Sequence, residues 1–580
     1  MTAPSLPALL RTRAADRPDA PAFTFVDYAL DPNGFSQTLT WSQLLQRSLN
    51  LADDLRQSGA AGDRAAILAP QGLDYIVAFY GALEAGLVAV PLPVPLLGAH
   101  DERVTAALRD CTPSVILTTS DTVDAISGYA RADGGNQAPA IIEVDSLDLD
   151  VPADVPPSTH SPDSVAHLQY TSGSTGQPTG AMITHRNLLT NFDQIADAFF
   201  EDRGRVPPAD MNIVGWIPFY HDMGLMLGIA LPLAWQCPAW LTNPVAFLQR
   251  PARWLHQLAE YPNTFSAAPN FAFDLAARRT SDEDMAGLDL GRVMSINNGS
   301  ERVSARTIAR FTERFAPFNL PAAAVRPSYG LAEATLYVAA QKAGEAPHSV
   351  WFVAEQLSEG KAVRCDAGAP DATELVAYHL TGTQQVRVVD PDTCTELPDG
   401  QVGELWVQGD NVGPGYWNNR ERTESTFHGY LASPRPGTAE GPWLRSGDLT
   451  VISEGDLFII GRIKDLLVVN GRNHYPDDIE STIQEITRGR VAAVSVPGDD
   501  TEQLVTIVEV KSKPDDADPA ETLRAIKREL SAAVSQHHGL RIYDLVLVPP
   551  GAIPVTTSGK IRRSSCAERY QQGAFERLDA

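Results

Sequence analysis

The sequence contains few cysteines and none in the spacing of a metal site. Five cysteines are scattered through 580 residues, and no two of them are separated by two residues. A structural zinc site and a disulfide framework are therefore not expected, and reduced thiols in the cytoplasm are the default interpretation. The five are Cys111, Cys237, Cys365, Cys394 and Cys566.

Positive charge is also scarce. The chain carries 46 lysines and arginines against 72 aspartates and glutamates, which gives a formal net charge of −26. Such a charge argues against nucleic acid or an anionic membrane surface as a main partner. Any phosphate group must therefore be bound by local features of the fold.

The sequence has no long hydrophobic run free of helix breakers. Residues 223–248 carry no charged side chain and are numerous enough to cross a membrane, but Pro232, Pro238 and Pro244 interrupt them. We expect this segment to form buried strand, turn and pocket wall. Neither a transmembrane segment nor a signal peptide is predicted.

One loop concentrates hydroxyl groups and glycines. It runs from Tyr170 to Gly180 and follows a short apolar run that begins at His167. It lacks the Gly-Lys-Ser/Thr ending of a Walker loop, so a P-loop NTPase is not expected. Glycines allow close backbone approach and hydroxyls add donors, a combination that suits a polyphosphate. An ordinary polar surface loop is the alternative.

The length and the pattern of the chain indicate an α/β protein with more than one domain. A chain of 580 residues is longer than a single hydrophobic core normally supports. A composition of 43% hydrophobic and 20% charged residues is typical of a globular protein. Apolar strands alternate with a helix in the N-terminal part, which favours α/β layers with largely parallel strands. The strands are predicted at 65–68, 88–90, 115–118 and 141–144, and the helix at 75–84.

The C-terminal half changes in character. Strands predicted at 385–389 and 404–408 suit a β-rich subdomain. Further strands at 491–496 and 504–510, followed by a helical apolar face, indicate a smaller α+β unit. That face consists of Leu523, Ile526, Leu530 and Val534.

Four further segments of the sequence, taken together with the loop from Tyr170 to Gly180, resemble the motifs of one family. In this order along the chain, the five motifs resemble those of the adenylate-forming superfamily, which includes acyl-CoA synthetases, luciferases, peptide-synthetase adenylation domains and fatty acyl-AMP ligases. The resemblance implies a large N-terminal domain of several subdomains, 1–461, and a small mobile C-terminal domain, 462–580, with its hinge at Lys464. The four further segments are 329–333, 445–448, 461–465 and 554–560.

The resemblance also implies a reaction and a set of site residues. ATP and a carboxylic acid would form an acyl-adenylate and pyrophosphate, with Mg²⁺ bound by Glu333 and with Lys560 bridging the acyl carboxylate and the α-phosphate. An ordinary exposed glutamate and a solvent lysine are the alternatives. The implied phosphate contacts are Thr171, Ser172, Gly173, Ser174, Thr175 and Gly176; the adenine side involves Asn298, Gly299, Ser300, Glu301, Ser328, Tyr329, Gly330, Leu331 and Ala332; the ribose side involves Asp448 and Arg462.

Two positions depart from the wider superfamily. Thr179 stands where a lysine is common in the phosphate loop, and Ala332 stands where a threonine is common. The first change removes a charge and is expected to weaken contact with pyrophosphate. Neither change affects Glu333, Asp448 or Lys560, so activity is still expected.

Three segments resemble the fatty acyl-AMP ligase branch in particular: 218–225, 244–251 and 329–335. The resemblance implies that His221 lies at the carboxylate end of an acyl tunnel lined by parts of 223–229 and 266–273. A core histidine and plain core packing are the alternatives.

The interval between Glu333 and Glu404 is longer than the same interval in typical CoA ligases, and this difference supports the same branch. Glu404 follows Glu333 by 71 residues, and the surplus over typical CoA ligases falls near 341–373. It resembles an insertion that restricts the domain rotation needed to form a CoA thioester, although a harmless surface loop is the alternative.

The implied partner of the second half-reaction is the phosphopantetheine thiol of an acyl carrier protein. Residues 520–569 hold eight basic and four acidic groups, a composition that suits the docking of an acidic carrier protein, with solvated helix faces as the alternative. A fatty acyl-CoA ligase and a non-catalytic ligase-like binding protein are the competing functions.

Overall fold

A computed structural model describes residues 4–95, 101–130, 138–152, 155–156, 158–171, 178–369, 372–469, 472–497, 502–511, 519–556 and 559–579. The chain divides into two compact units whose segments interleave. Unit 1 comprises residues 1–348, 376–387 and 406–446, and unit 2 comprises 349–375, 388–405 and 447–580.

The helices of the described residues are α1 Leu6–Asp16, α2 Trp41–Ser58, α3 Leu73–Ala85, α4 Glu102–Cys111, α5 Val123–Ile126, α6 His185–Phe199, α7 Asp222–Leu225, α8 Leu231–Trp235, α9 Pro244–Gln249, α10 Ala252–Glu260, α11 Asn270–Arg279, α12 Ala305–Phe315, α13 Ala354–Ser358, α14 Arg420–Phe427, α15 Pro476–Thr487, α16 Pro519–His538 and α17 Arg563–Gln571.

The strands are β1 Pro21–Asp27, β2 Phe35–Thr40, β3 Arg64–Ile67, β4 Val88–Pro91, β5 Val115–Thr118, β6 Ala140–Glu143, β7 Val165–Thr171, β8 Thr179–Thr184, β9 Asn212–Gly215, β10 Ala239–Leu241, β11 Thr264–Pro269, β12 Val293–Gly299, β13 Val325–Gly330, β14 Tyr337–Ala340, β15 Ser349–Val353, β16 Ala372–His379, β17 Gln385–Val389, β18 Gly403–Gln408, β19 Leu444–Ser453, β20 Asp456–Arg462, β21 Leu467–Val469, β22 Arg472–His474, β23 Val491–Pro497, β24 Glu502–Glu509 and β25 Asp544–Val548.

One sheet of unit 1 has the strand order β6-β5-β3-β4-β7-β8. Its strands are parallel except for β7 and β8, which form an antiparallel hairpin. The four predicted strands correspond to β3–β6 and the predicted helix to α3, so the α/β interpretation is confirmed. The strands are short and apolar, as expected for parallel strands covered by helices.

The second sheet of unit 1 contains the order β2-β1-β10-β9-β11-β12-β13-β14, parallel between β1 and β13 and antiparallel at both ends. All six residues of β11 are buried. Helices α10, α11 and α12 contribute a buried aromatic cluster of Trp254, Phe273 and Phe311, whose ring centroids lie 4.9–6.2 Å apart. This packing holds the three helices together.

The charge-free segment is helical in its first half, which corrects our expectation of strand and turn. Residues Asp222–Leu225, Met226–Ala230 and Leu231–Trp235 are consecutive α, π and α turns, and only then does β10 follow. Pro232 is tolerated because it lies in the first turn of α8, where its missing N–H has little cost. In the described residues, no helix combines the length and apolar character that a membrane crossing requires.

Unit 2 is built around the sheet β23-β24-β25, with β24 antiparallel to β23 and parallel to β25. Alternate residues of the strands face opposite sides. Helices α15 and α16 pack on one face, and α17 packs on the other through Cys566. Leu530 and Val534 of α16 are fully buried and Leu523 and Ile526 partly so, which confirms the predicted apolar face.

Two hairpins complete unit 2. Strands β19 and β20 pair antiparallel, and so do β21 and β22; the turn Ile463–Asp465 follows β20. The predicted strands of the β-rich part correspond to β17 and β18.

Candidate active site

The predicted phosphate loop connects the two strands of the β7–β8 hairpin. Thr171 and Thr179 are the last paired residues of the two strands, directly opposite each other. Five of the predicted phosphate contacts lie between these threonines and outside the described residues: Ser172, Gly173, Ser174, Thr175 and Gly176. The structure therefore describes the base of this loop, where Thr171 is half-buried and Thr179 is buried.

An extended segment runs beside β8 and connects the hairpin to Glu333. The Met182 N–H donates to the Gly415 carbonyl at 2.9 Å, and the Trp417 N–H donates to the Gly180 carbonyl at 2.8 Å. Two residues before Gly415 in the chain, the Gly413 N–H donates to the Glu333 carbonyl at 2.9 Å. The backbone thus holds the base of the loop and the Glu333 turn together.

The Glu333 carboxylate is positioned by a tyrosine of this segment. The Tyr416 hydroxyl donates to Glu333 Oε1 at 2.6 Å. Burial raises the pKa of Tyr416 and the Glu333 charge raises it further, so the phenol stays neutral and remains a donor. One carboxylate oxygen is thereby fixed, and no donor among the described residues contacts the other.

Glu333 fits the demands of Mg²⁺. It is half-buried in the turn Ala332–Ala334, and the described part of the chain contains no cluster of three His, Cys, Asp or Glu side chains that would form a complete metal cage. Mg²⁺ usually takes one or two protein carboxylates together with substrate phosphates. A single oriented carboxylate is the donor set that this mode of binding needs.

His221 and Ser300 meet at the ends of two different elements. His221 directly precedes α7, and its Nδ1 lies 2.6 Å from Asp222 Oδ1. The same Nδ1 accepts from the Met223 N–H at 3.3 Å, and Nε2 lies 3.4 Å from Ser300 Oγ. The His221 side chain is 16% exposed, so it is neither core nor surface. Its imidazole is oriented by Asp222, which sequence reasoning did not single out.

The ends of β12 and β13 approach each other so closely that glycine is required. A Cβ on Gly299 would lie 2.7 Å from the Ser328 carbonyl oxygen, and one on Gly330 would lie 1.6 Å from the Leu336 carbonyl oxygen. Tyr329, between these positions, is half-buried, and Leu331 and Ala332 lead on to the Glu333 turn. The predicted adenine residues therefore form one continuous edge of the sheet.

Two residues of the predicted adenine motif use their side chains within the protein. Asn298 is fully buried and donates to Asn270 Oδ1 at 3.2 Å. Glu301 Oε1 accepts from the Phe271 N–H at 2.7 Å, at the beginning of α11. These bonds fix α11 against the end of β12. Contact of either residue with adenine remains a prediction.

Asp448 and Arg462 are brought together by the β19–β20 hairpin. Their Cα atoms are direct antiparallel partners, and Arg462 Nε lies 3.1 Å from Asp448 Oδ1. The Asp448 side chain is 7% exposed and that of Arg462 is 53% exposed. The two residues that the resemblance implies for the ribose side are therefore direct neighbours in unit 2, and one Asp448 oxygen is oriented by the guanidinium.

Lys464 and Lys560 lie in two turns of unit 2. Lys464 is exposed in the turn Ile463–Asp465. The Lys560 carbonyl accepts from the Thr556 N–H at 2.7 Å, and the Lys560 N–H donates to Thr556 Oγ1 at 3.0 Å. Thr557 and Ser558 lie outside the described residues, but the backbone that carries Lys560 is hydrogen-bonded on both sides of them.

The comparisons with known proteins agree with this geometry. A model described as AMP-binding enzyme matches residues 10–417, and one described as Disco-interacting protein 2-like, AMP domain, matches residues 464–579. The long-chain-fatty-acid–AMP ligase FadD28 of Mycobacterium tuberculosis is 56% identical over 100% of both chains. The chain is an AMP-binding enzyme of the fatty acyl-AMP ligase branch.

Two further relatives of this ligase differ in what their names record. A 4-hydroxyphenylalkanoate adenylyltransferase of Mycobacterium marinum is 55% identical over 100% of this chain and 93% of its own length. A fatty acyl-adenylate ligase of Legionella pneumophila, solved in complex with acyl adenylate and pyrophosphate, is 31% identical with a TM-score of 0.75, covering 100% of this chain and 99% of that chain.

Sequence reasoning missed three residues of the ligase that contact predicted site residues. Asp222 orients His221, Tyr416 orients Glu333, and Arg422 Nη1 donates to Thr179 Oγ1 at 2.6 Å. Asp222 adjoins its partner in sequence and could have been found. Tyr416 and Arg422 are 83 and 243 residues from their partners, and no sequence motif links them.

The basic surface predicted for a carrier protein is less positive than its composition indicated. Arg563 is enclosed by Asp465, Asp477 and Glu480, and Lys527 forms an ion pair with Asp579. Arg524 and Arg528 both pair with Glu521. Arg541 and Arg569 remain exposed.

Proposed function

We propose that this ligase joins a fatty acid to AMP at the expense of ATP and then transfers the acyl group to the phosphopantetheine thiol of an acyl carrier protein. The observation that carries the first step is the similarity, over 100% of this chain, to the Legionella pneumophila ligase solved with acyl adenylate and pyrophosphate. The oriented His221, Glu333 and Asp448 side chains support it.

The first step makes one bond and breaks one. A carboxylate oxygen of the fatty acid attacks the α-phosphorus of ATP, and the bond from that phosphorus to the bridging oxygen of the β-phosphate breaks. Pyrophosphate leaves with the electron pair. The protein's task is positioning and charge neutralisation, since no covalent intermediate with a side chain is needed.

Each oriented group has a separate role in this proposal. Asp448, held by Arg462, accepts hydrogen bonds from the ribose hydroxyls; Tyr329 stacks on adenine; Lys560 neutralises charge on the α-phosphate and the acyl carboxylate. Glu333 would hold Mg²⁺, which when bound neutralises charge on the phosphate oxygens.

The acid substrate is recognised near His221. Its imidazole lies beside Ser300 at the start of the buried helical segment that follows Asp222, and we propose that the acyl chain enters between residues 223–229 and 266–273. A relative of nearly equal identity is named for an aromatic alkanoate, so both straight-chain and phenyl-ended acids belong in a substrate panel.

The second step places the acyl group on a thiol. The thiol sulfur attacks the acyl carbonyl carbon, AMP leaves, and the thiol proton passes to solvent. We propose a carrier-protein thiol and not CoA because the 341–373 segment is bonded to residues beyond the predicted hinge, which would restrict the rotation needed to form a CoA thioester. In α13 of this segment, the Ser358 carbonyl accepts from Asn473 Nδ2 at 3.3 Å and the Leu357 carbonyl accepts from the Tyr475 hydroxyl at 3.4 Å.

Two broader assignments accompany this function. We propose a domain boundary at residues 461 and 462, supported by family matches that end at 417 and resume at 464. We also propose a cytoplasmic location, supported by five free cysteines, of which three are buried.

The direct test is product analysis by mass spectrometry. The enzyme is incubated with ATP, Mg²⁺ and a panel of fatty acids and 4-hydroxyphenylalkanoates, and we expect acyl-adenylate and pyrophosphate with at least one fatty acid. Formation of adenylate only with the phenyl-ended acids would contradict the fatty acid assignment. Formation of no adenylate with any acid would contradict the reaction.

A further inference from the structure

Arg422 contacts the β7–β8 hairpin at the base of the predicted phosphate loop. The Arg422 Nη1 atom donates to Thr179 Oγ1 at 2.6 Å, and Thr179 is the first paired residue after the loop. Arg422 lies in the first turn of α14, whose beginning is capped by Asn419 accepting from the Arg422 N–H at 3.1 Å. Its guanidinium is thus held next to Thr179 by a structured element.

The same guanidinium is linked to the Glu333 carboxylate through one aromatic ring. The Arg422 Cζ atom lies 5.0 Å from the centroid of the Tyr416 ring, and the Tyr416 hydroxyl donates to Glu333 Oε1 at 2.6 Å. Stacking of this kind orients a planar guanidinium while leaving its remaining N–H groups to other acceptors. Arg422 and the proposed Mg²⁺ ligand therefore contact opposite parts of one side chain.

The charge of Arg422 is not neutralised by a neighbouring acid. Among the described residues, no carboxylate lies within 4 Å of its guanidinium, whereas Arg420, two residues earlier, pairs with Glu424 at 2.7 Å. A fixed, unneutralised guanidinium in an enzyme with a net charge of −26 is a strong attractor for a polyphosphate.

We propose that Arg422 binds the β- and γ-phosphates of ATP and the departing pyrophosphate. It provides next to Thr179 the cation that this threonine does not provide, and its planar donors match two phosphate oxygens at once. This assignment rests on the proposed function, and it adds a residue that no motif in the sequence indicates.

The test compares Arg422→Gln with Arg420→Gln by calorimetric titration of the protein with magnesium pyrophosphate and with AMP. Loss of a charge-assisted contact is expected to weaken pyrophosphate binding about 10- to 100-fold in Arg422→Gln. AMP carries only the α-phosphate, so its affinity should stay within about twofold. Arg420, 91% exposed on the same helix, is the matched control and should leave both affinities unchanged.

Two further variants separate binding from folding. Adding Thr179→Lys to Arg422→Gln should restore part of the pyrophosphate affinity, because the lost charge returns at the same place. Arg422→Lys should retain more affinity than Arg422→Gln. A loss of AMP affinity equal to the loss for pyrophosphate would indicate a structural role and overturn the inference.

The inference and the proposed function fail in different ways. If the unmodified ligase makes acyl-adenylate and Arg422→Gln binds pyrophosphate within twofold of it, the inference is wrong and the function stands. If pyrophosphate binding depends on Arg422 but no acid is adenylated, the inference stands and the function is wrong.

Discussion

Single side chains provide the charges that the proposed reaction needs, and each is held by a neighbour. Asp222 holds His221, Tyr416 holds Glu333, and Arg462 holds Asp448. Pre-oriented groups of this kind avoid reorganisation during the reaction and are the usual source of electrostatic catalysis.

Lys560→Ala tests the positive charge that we propose for the α-phosphate and the acyl carboxylate. Its loop is tied by backbone bonds and by the Thr556 side chain, so the substitution should remove the cation and leave the loop intact. The expected loss in the rate of acyl-adenylate formation is about 10²- to 10³-fold, equivalent to roughly 3 to 4 kcal/mol. Rapid-quench assays measure it, with exposed Arg569→Ala as control. A rate within threefold of the unmodified enzyme would contradict the role of Lys560.

Arg563 has a different function, although it lies three residues further along the chain. It donates to Asp465, Asp477 and Glu480 at 2.7–2.9 Å. Burial opposes its charge, but Glu480 and Asp477 outweigh burial and raise the pKa of Arg563 well above its ordinary value. It therefore connects the turn Ile463–Asp465 to α15 and to the beginning of α17.

Arg563→Met should destabilise unit 2, because Glu480 is 7% exposed and would lose its cation. Breaking a buried ion pair from one side typically costs about 3 to 5 kcal/mol. Urea unfolding followed by circular dichroism measures the change, with Arg569→Met on the same helix as control. A loss below about 1 kcal/mol would show that Arg563 does not hold this cluster together.

At the level of secondary structure, the sequence predicted what depends on local periodicity. Strands β3–β6, β23 and β24 and the apolar face of α16 follow from short-range patterns, and all are present. The helical start of the charge-free segment was missed because proline was taken as an interruption, whereas Pro232 occupies the first turn of α8.

Long-range contacts of the site could not be predicted in the same way. The contact between Arg422 and Thr179 depends on where the 413–417 segment lies beside β8, and backbone pairing between such distant segments leaves no periodic signal. Asp448 and Arg462 could be assigned to one predicted site because each belongs to a recognisable motif, whereas their ion pair depends on the β19–β20 hairpin, which was not predicted.

The hairpin strand β7 and helix α6 carry two histidines that should make stability depend on pH. Burial lowers the pKa of both His167 and His185 to about 3, and His160 further lowers that of His185. An unfolded histidine titrates near 6.5, so between pH 6.5 and 3 the unfolded chain binds more protons. The free energy of unfolding therefore falls as the pH is lowered, by up to about 1.4 kcal/mol per pH unit for each histidine.

His185→Asn isolates one of these contributions. The Nδ1 atom of His185 accepts from the Leu6 N–H at 3.4 Å, and an asparagine oxygen can take its place without becoming protonated. Between pH 6 and 4.5, the stability of this variant should fall less steeply than that of the unmodified protein, by up to about 1.4 kcal/mol per unit. Denaturant titrations at several pH values measure the slopes. Exposed His428→Asn should leave the slope unchanged, and an unchanged slope in His185→Asn would refute the prediction.

For the whole molecule, the question is which thiol receives the acyl group. The 341–373 segment does not behave as an isolated surface loop: Phe352 packs on Phe458 with ring centroids 5.0 Å apart, and Arg364 Nη2 donates to the Ser453 carbonyl at 2.8 Å. Together with the bonds that α13 accepts from Asn473 and Tyr475, these contacts join the segment to both sides of the predicted hinge.

Removing the hydrogen bonds that α13 accepts should increase the rate of acyl transfer to CoA. In the double variant Asn473→Ala, Tyr475→Phe, two hydrogen bonds worth about 1 kcal/mol each are lost, so we expect acyl-CoA formation to rise roughly tenfold or more while adenylation is retained. Liquid chromatography of the thioesters measures it, with exposed Tyr543→Phe as control. Equal acyl-CoA formation by the double variant and the unmodified enzyme would contradict a restraining role for α13.

The most direct test of the account is a single incubation of the unmodified enzyme with ATP, Mg²⁺, its preferred fatty acid, excess CoA and a phosphopantetheinylated acyl carrier protein, with all acyl products followed by mass spectrometry. We predict acyl-adenylate and acylated carrier protein, with little acyl-CoA. Acyl-CoA formed at the rate of adenylation would contradict the account and identify the enzyme as a fatty acyl-CoA ligase.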